Sequence, residues 1–234
     1  MIEFQNVSVQ VAIPQAGGKN SSKTLLEGIN LTLEEHRVAV IGANGSGKST
    51  LLRTINGLVA PSSGQVSVNG LDTVKDGKKV RSQVGFIFTD PLSQLLLSTA
   101  VNDIELSLRA KIKNRGERRE RALALLAERG LANTAEQSIY DLSGGERQLV
   151  ALTSILALEP DVIVADEPTT LLDLKNKFLV GRALASLEQQ LVIATHDLDL
   201  AAKADRVLVV HEGRIVASGV PQNCIDYYWE LMSK

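Results

Sequence analysis

Two hydrophobic rhythms alternate along the chain. Residues 2–11 (IEFQNVSVQV), 31–33 and 65–68 (QVSV) are short, rich in β-branched residues and bounded by Gly, Asn, Pro or Ser. That pattern predicts antiparallel strands. RVAVI (37–41), VGFIF (84–88), DVIVAD (161–166), LVIAT (191–195) and RVLVV (206–210) are unbroken apolar runs, the signature of strands buried on both faces of a parallel sheet. Helical patterns lie between them. From about Asp90 to Tyr140 the strand patterns stop, and helical stretches such as ERRERALALLAERG take over, ending at Gly130 as a helix C-terminus would. The expected fold is α/β: a mostly parallel core sheet, an N-terminal antiparallel β part, and a helical subdomain inserted at roughly 90–140. All of it belongs to one domain spanning 1–234.

Composition narrows the function without choosing it. At 234 residues and 44% hydrophobic, the chain has ample apolar material for a core. The formal net charge of −2 offers no argument for a nucleic-acid or anionic-lipid partner. A lone cysteine, Cys224, allows no internal disulfide and fits a reducing compartment. The first residues alternate in polarity and do not read as a signal peptide. The apolar runs fall short of the roughly 18 residues that a membrane span needs.

The chemistry is concentrated between RVAVI and a helical segment. Gly42, Ala43, Asn44, Gly45, Ser46, Gly47, Lys48, Ser49 and Thr50 spell G-x4-G-K-S-T between a predicted strand and a predicted helix, the context of a phosphate-binding loop. Small residues let successive backbone N–H groups turn toward a β-phosphate, and the helix N-terminus adds partial positive charge. Lys48 would bridge the β- and γ-phosphates, Ser49 would offer its hydroxyl to Mg²⁺, and Thr50 would reach the α-phosphate. The alternative is a tight strand-to-helix turn.

Three later stretches separate the classes of nucleotide-binding protein. DLSGGERQ (141–148) places Ser143 as an N-cap before Gly144, Gly145 and Glu146, making a second helix N-terminus able to face an anion. VIVADEP (162–168) ends an apolar strand in two carboxylates, with Asp166 suited to hold Mg²⁺ through water and Glu167 to polarise an attacking water. IATHD (193–197) closes another buried strand with His196, placed to hydrogen-bond a γ-phosphate oxygen. Each has a purely structural reading: a capped helix, a solvated strand end, a surface histidine.

Taken together and in this order, the P-loop, LSGGE, VIVADEP, TLLD and THD resemble an ATP-binding-cassette (ABC) ATPase over nearly the whole chain. The resemblance implies ATP and Mg²⁺ as cofactors and two cassettes joined head to tail, so that Ser143, Gly144, Gly145 and Glu146 of one chain meet the nucleotide on the P-loop of another. Asp173 of TLLD matches the loop that crosses that interface. The helical insert is implied to hold a transmembrane coupling subunit, and the chain to lie peripherally on the cytoplasmic face of the cell (inner) membrane. Two positions depart from the family pattern. Val11 stands where an aromatic residue usually stacks on adenine, and Thr89 stands where a glutamine usually reaches the metal and the attacking water. Gln94 is expected to take part of that role.

The segment FTDPLSQLLLSTAVNDIELSL further resembles the energy-coupling-factor (ECF) ATPases, and biotin-transport members of that group most, with cobalt or nickel importers next. Those assemblies include a small membrane substrate-binding subunit, so no residue of this chain is expected to touch the cargo. A soluble ABC protein acting on nucleic acid or ribosomes is the alternative, with RAKIKNRGERRERA (109–122) as its one supporting feature. That stretch also suits a solvated helix face. A non-hydrolysing structural cassette is opposed by the presence of Glu167 and His196.

Overall fold

The structure, a computed structural model, describes residues 1–14 and 20–233. The chain begins with β1 (Ile2–Pro14), β2 (Asn20–Leu33), β3 (Arg37–Ile41) and α1 (Lys48–Ile55). β4 (Ser63–Val68), β5 (Leu71–Asp72), α2 (Gly77–Gln83) and β6 (Val84–Ile87) follow. Then come α3 (Ala100–Leu108), α4 (Arg115–Glu128), α5 (Gly144–Leu156), β7 (Val162–Asp166) and α6 (Leu174–Ala185). The chain closes with β8 (Gln190–Ala194), α7 (Leu198–Ala201), β9 (Arg206–His211), β10 (Arg214–Gly219) and α8 (Pro221–Met232). These elements form two compact units, residues 1–84 with 190–234 and residues 85–189.

The first unit carries an antiparallel sheet in the order β2-β1-β4-β5 and a second set of strands in the order β10-β9-β3-β8. β3 runs parallel to both β8 and β9, and β10 returns antiparallel to β9. Four of the five residues of β3 and of β8 are buried, as the unbroken apolar runs require of strands covered on both faces. β10 instead alternates between exposed and half-buried positions, as an edge strand does.

β1 is not one regular strand. Ile2, Phe4, Val7 and Val9 are buried, so the burial phase slips by one residue between Phe4 and Val7. The register with β2 shifts at the same place, where Asn6 has a positive φ of 50°. The bulge keeps Val7 and Val9 on the apolar side, because without the extra residue the period of two would turn them outward. β2 is also longer than the expected 31–33, since its first half pairs with the second half of β1.

In the second unit β6 and β7 are neighbours and entirely buried. α3 packs on α4 and α5, and α5 on α6. α4 starts at Asn114, whose side chain accepts from the Gly116 and Glu117 amides at 2.8 and 3.3 Å. It ends as the sequence predicts: Gly130 takes a φ of 74°, the Leu131 amide donates back to Leu126 and the Gly130 amide to Ala127, a Schellman ending.

Candidate functional site

Within the first unit, β3 delivers the chain from a dry strand into the loop 42–47, and α1 begins at Lys48. The loop is folded too tightly for side chains at two points. A Cβ on Gly42 would collide with the Val210 carbonyl, and one on Gly47 would come 2.8 Å from the Leu25 carbonyl. Lys48 is buried, and its Nζ donates to the carbonyls of Gly42 at 2.8 Å and Ala43 at 3.1 Å. The cation is thereby folded back over the loop. No side chain caps α1, and the partial positive charge at a helix N-terminus attracts an anion. The Ser46 hydroxyl is buried without a hydrogen-bond partner. Ser49 and Thr50 stand in the first turn of α1, both half-buried. An ammonium group and a helix N-terminus on a loop drawn tight at Gly42 and Gly47 fit a polyphosphate.

Two more predicted residues lie in this unit. His196 follows β8 and is exposed; the Thr195 hydroxyl beside it is buried and accepts from the Asp197 amide at 3.0 Å. Asp197 in turn caps α7 by accepting from the Leu200 amide at 3.1 Å. Val11 sits on β1 opposite Lys23 of β2, and 40% of its surface is exposed.

The second unit holds the carboxylates. β7 ends at Asp166, which is buried, and the chain turns sharply at Glu167 with a φ of 51°. Holding a non-glycine residue in that left-handed region costs on the order of 1 kcal/mol. The Thr170 hydroxyl donates to Glu167 Oε2 at 2.8 Å. Thr89, after β6, donates its hydroxyl proton to the Asp166 carbonyl at 2.8 Å, which leaves its oxygen lone pairs for a further partner. Gln94 spans the loop: Oε1 accepts from the Phe88 amide at 2.9 Å and Nε2 donates to the Ala151 carbonyl at 3.4 Å. Gln148 on α5 also donates to the Phe88 carbonyl. The loop after β6 is therefore fastened to α5 through two amide side chains.

Ser143 is exposed at the N-cap of α5 and forms a complete capping box. Its hydroxyl accepts from the Glu146 amide at 3.3 Å, while Glu146 Oε2 accepts from the Ser143 amide at 2.8 Å. Hydrogen bonds from Ser143 hold the Glu146 carboxyl below its ordinary range. Gly144 begins the helix, and Gly145 is buried against the Asn176 side chain. Asp173 caps α6 by accepting from the Asn176 amide at 2.8 Å.

Sequence reasoning passed over Thr170, which bonds Glu167, Asn176, which meets Asp173 and Gly145, and Gln148, which holds the Phe88 carbonyl next to Thr89. It also passed over Asp103, a buried carboxyl on α3 that accepts from the Leu96 and Leu97 amides. Among the described residues no cluster of three or more His, Cys, Asp or Glu is assembled. The Ser49 hydroxyl and the Asp166 carboxylate are the kinds of oxygen donor that Mg²⁺ takes, since it keeps several waters and needs only one or two protein oxygens beside phosphate oxygens.

The sequence matches the ABC transporter family over residues 26–170. A putative ABC transporter ATP-binding protein of Bartonella henselae is 44% identical over 89% of this chain and 92% of its own length. The chain belongs to the ABC transporter ATP-binding family. Within that family it is 41% identical to the biotin transport ATP-binding protein BioM of Rhizobium etli, over 95% of this chain and 99% of the relative. It is 36% identical to the energy-coupling factor transporter ATP-binding protein EcfA1 of Mycoplasma mobile, over 94% of this chain and 80% of the relative. Among solved structures, an ATP-binding cassette in a dimeric post-hydrolysis state bound to ADP and Pi superposes with a TM-score of 0.82. That pair is 30% identical, with 94% of this chain and 99% of the other covered. This ABC cassette binds and hydrolyses ATP.

Proposed function

We propose that this cassette energises an ECF-type membrane importer, as a homodimer docked to a transmembrane coupling subunit and a small substrate-binding membrane subunit, and that the cargo of the complex is biotin. The observation that carries this reading is likeness along nearly the full chain, at 41% and 36% identity, to relatives named for biotin transport and for energy-coupling-factor transport. No helix among the described residues is long and apolar enough to cross a membrane, which suits a peripheral subunit that leaves the cargo to its partners. Its place would be the cytoplasmic face of the cell membrane.

The residues take the following roles. The amides of 43–50 and the Lys48 ammonium hold the β- and γ-phosphates, and Val11 lies against the adenine. Ser49 and Asp166 would hold Mg²⁺, with Thr89 and Gln94 on its waters; the ion, when bound, neutralises charge on the phosphate oxygens. Glu167 orients a water for in-line attack and accepts its proton, with Thr170 steadying the carboxylate. His196 donates to a γ-phosphate oxygen. Ser143, Gly144, Gly145 and Glu146 present the N-terminus of α5 to the nucleotide of the second copy, and Asp173 stands at the crossing of the two chains. Half the donors come from the other chain, so turnover requires closure of the pair.

The nucleic-acid reading finds little in the basic stretch 109–122. Arg119 pairs with Glu105 at 3.3 Å and with Glu136, Arg121 with Glu128, and Lys111 with Glu159 at 2.8 Å. Three of the seven cations in the stretch are matched in this way, which suits a solvated helix face. The deciding experiment purifies the chain with its membrane partners and identifies the small molecule that comes with them. Biotin is expected; cobalt or nickel would move the cargo to the metal importers, and copurifying RNA without membrane subunits would overturn the transport reading.

A further inference from the structure

The hairpin between β9 and β10 turns through Glu212 and Gly213, with φ of 46° and 76°. Two consecutive left-handed residues make a type I′ turn. Gly213 is buried, and both of its backbone groups are engaged: its amide donates to the Ser46 carbonyl at 2.8 Å, and its carbonyl accepts from the Glu27 amide of β2 at 2.9 Å. The packing around it is backbone on backbone. A Cβ on Gly213 would lie 2.7 Å from the Leu25 carbonyl, the same atom that excludes a Cβ on Gly47 at 2.8 Å. Arg214 and Glu27 add an exposed ion pair at 2.8 Å across the same junction.

We propose that Gly213 is a positioning residue for nucleotide binding, acting by aiming the Gly47 N–H of the phosphate loop. The Ser46 carbonyl and the Gly47 amide belong to one planar trans peptide, so their C=O and N–H point in opposite directions. The Gly213 amide holds the Ser46 carbonyl on the hairpin side. The Gly47 N–H is thereby turned away from the hairpin, as a preorganised anion donor beside Lys48. β2 anchors the arrangement through Glu27, so the antiparallel sheet reaches the loop by two consecutive backbone hydrogen bonds. This rests on the reading of loop 42–50 as the phosphate site, and it extends that site to a turn about 165 residues further along the chain.

The molecule supplies its own control. Asn69 and Gly70, between β4 and β5, form a second type I′ turn with φ of 50° and 78°, and a Cβ on Gly70 meets nothing within 4 Å. Gly213→Ala and Gly70→Ala therefore impose the same left-handed strain, and only the first presses on Leu25 and the loop. The experiment measures the Kd of a fluorescent ATP analogue with Mg²⁺ for the full chain at a temperature where each variant is folded. Lys48→Ala is the reference for the site itself. Gly213→Ala is expected to raise Kd at least fivefold and Gly70→Ala less than twofold. Equal Kd values for the two alanine variants would overturn the proposal. Wild-type affinity in Lys48→Ala would instead overturn the phosphate-site reading. Should Gly213→Ala not fold, hydrogen exchange on the wild-type chain decides. The amides of Gly213 and Glu27 should exchange more slowly when ATP is added and that of Gly70 at an unchanged rate; unchanged exchange at Gly213 would sink the idea, since a merely structural hairpin ignores the nucleotide.

Discussion

Thr89 donates its hydroxyl proton to the backbone carbonyl of Asp166, 2.8 Å away and 77 positions along the chain. The bond joins the loop that follows β6 to the end of β7, directly before Glu167. A glutamine at 89 would carry an amide on a longer, more flexible stem, whereas threonine is short and stiff about χ1. Thr89→Gln should change basal ATP hydrolysis by less than about tenfold, or about 1.4 kcal/mol of barrier. It should disturb partner-stimulated transport more, because it alters a loop fastened to α5. Thr89→Val removes the bond with nearly the same shape and should cost about 1 kcal/mol of stability. Basal ATPase of the isolated chain and transport by the assembled complex, measured side by side, check this; a large rise in basal rate with unchanged transport would make Thr89 a weakened catalytic ligand.

Glu167→Gln keeps the size and the hydrogen-bond acceptor for Thr170 but cannot take a proton from water. It should retain ATP binding, lose turnover by at least a hundredfold, and accumulate as a closed dimer. Size-exclusion chromatography with ATP reports this. A monomer only, with membrane partners present as well, would contradict the head-to-tail sandwich.

The capping box makes a paired prediction at α5. Ser143→Ala removes the cap and should lower stability by about 1 kcal/mol, besides weakening ATP-dependent dimerisation. Glu146 titrates below its ordinary value of 4.5 in the fold. Its hydrogen bonds therefore contribute stability that is present above that value and lost as pH falls through the lower, folded pKa. Glu146→Gln still reaches the Ser143 amide but does not titrate, so its thermal midpoint should fall less than that of wild type on acidification. Parallel losses in the two proteins would show that the carboxylate is not held by Ser143.

Asp103 has the opposite sign. Burial raises its carboxyl pKa, against the two amides of Leu96 and Leu97 that favour the charged form. The folded chain thus binds the proton more readily than the unfolded one, and the charge costs stability that is regained as pH drops into the carboxylate range. Asp103→Asn retains an acceptor for those amides. Its thermal midpoint at pH 7 should equal or exceed that of wild type, with the gap closing on acidification. A clear loss at pH 7 would mean that the amides need the full negative charge.

The sequence by itself determined the features that are local. Unbroken apolar runs over 37–41 and 191–195 announced strands dry on both faces, and those at 161–166 and 84–88 did the same, because burial on two faces leaves no polar position to alternate. The Gly-rich loop before Lys48, the cap at Ser143 with Glu146 three residues on, and the Gly130 helix ending are likewise written in spacing, since each is closed by bonds within a few residues. Tertiary structure alone decided the rest. β10 alternates weakly as an edge strand, and the bulge at Asn6 shows only in the register of its partner strand. The hydroxyl of Thr89 finds Asp166, and the amide of Gly213 finds Ser46, across 77 and about 165 positions of chain. No periodicity encodes such pairs. They arise because a planar peptide or a short side chain has one direction in which to hydrogen-bond, and only the folded path of the backbone sets what lies there.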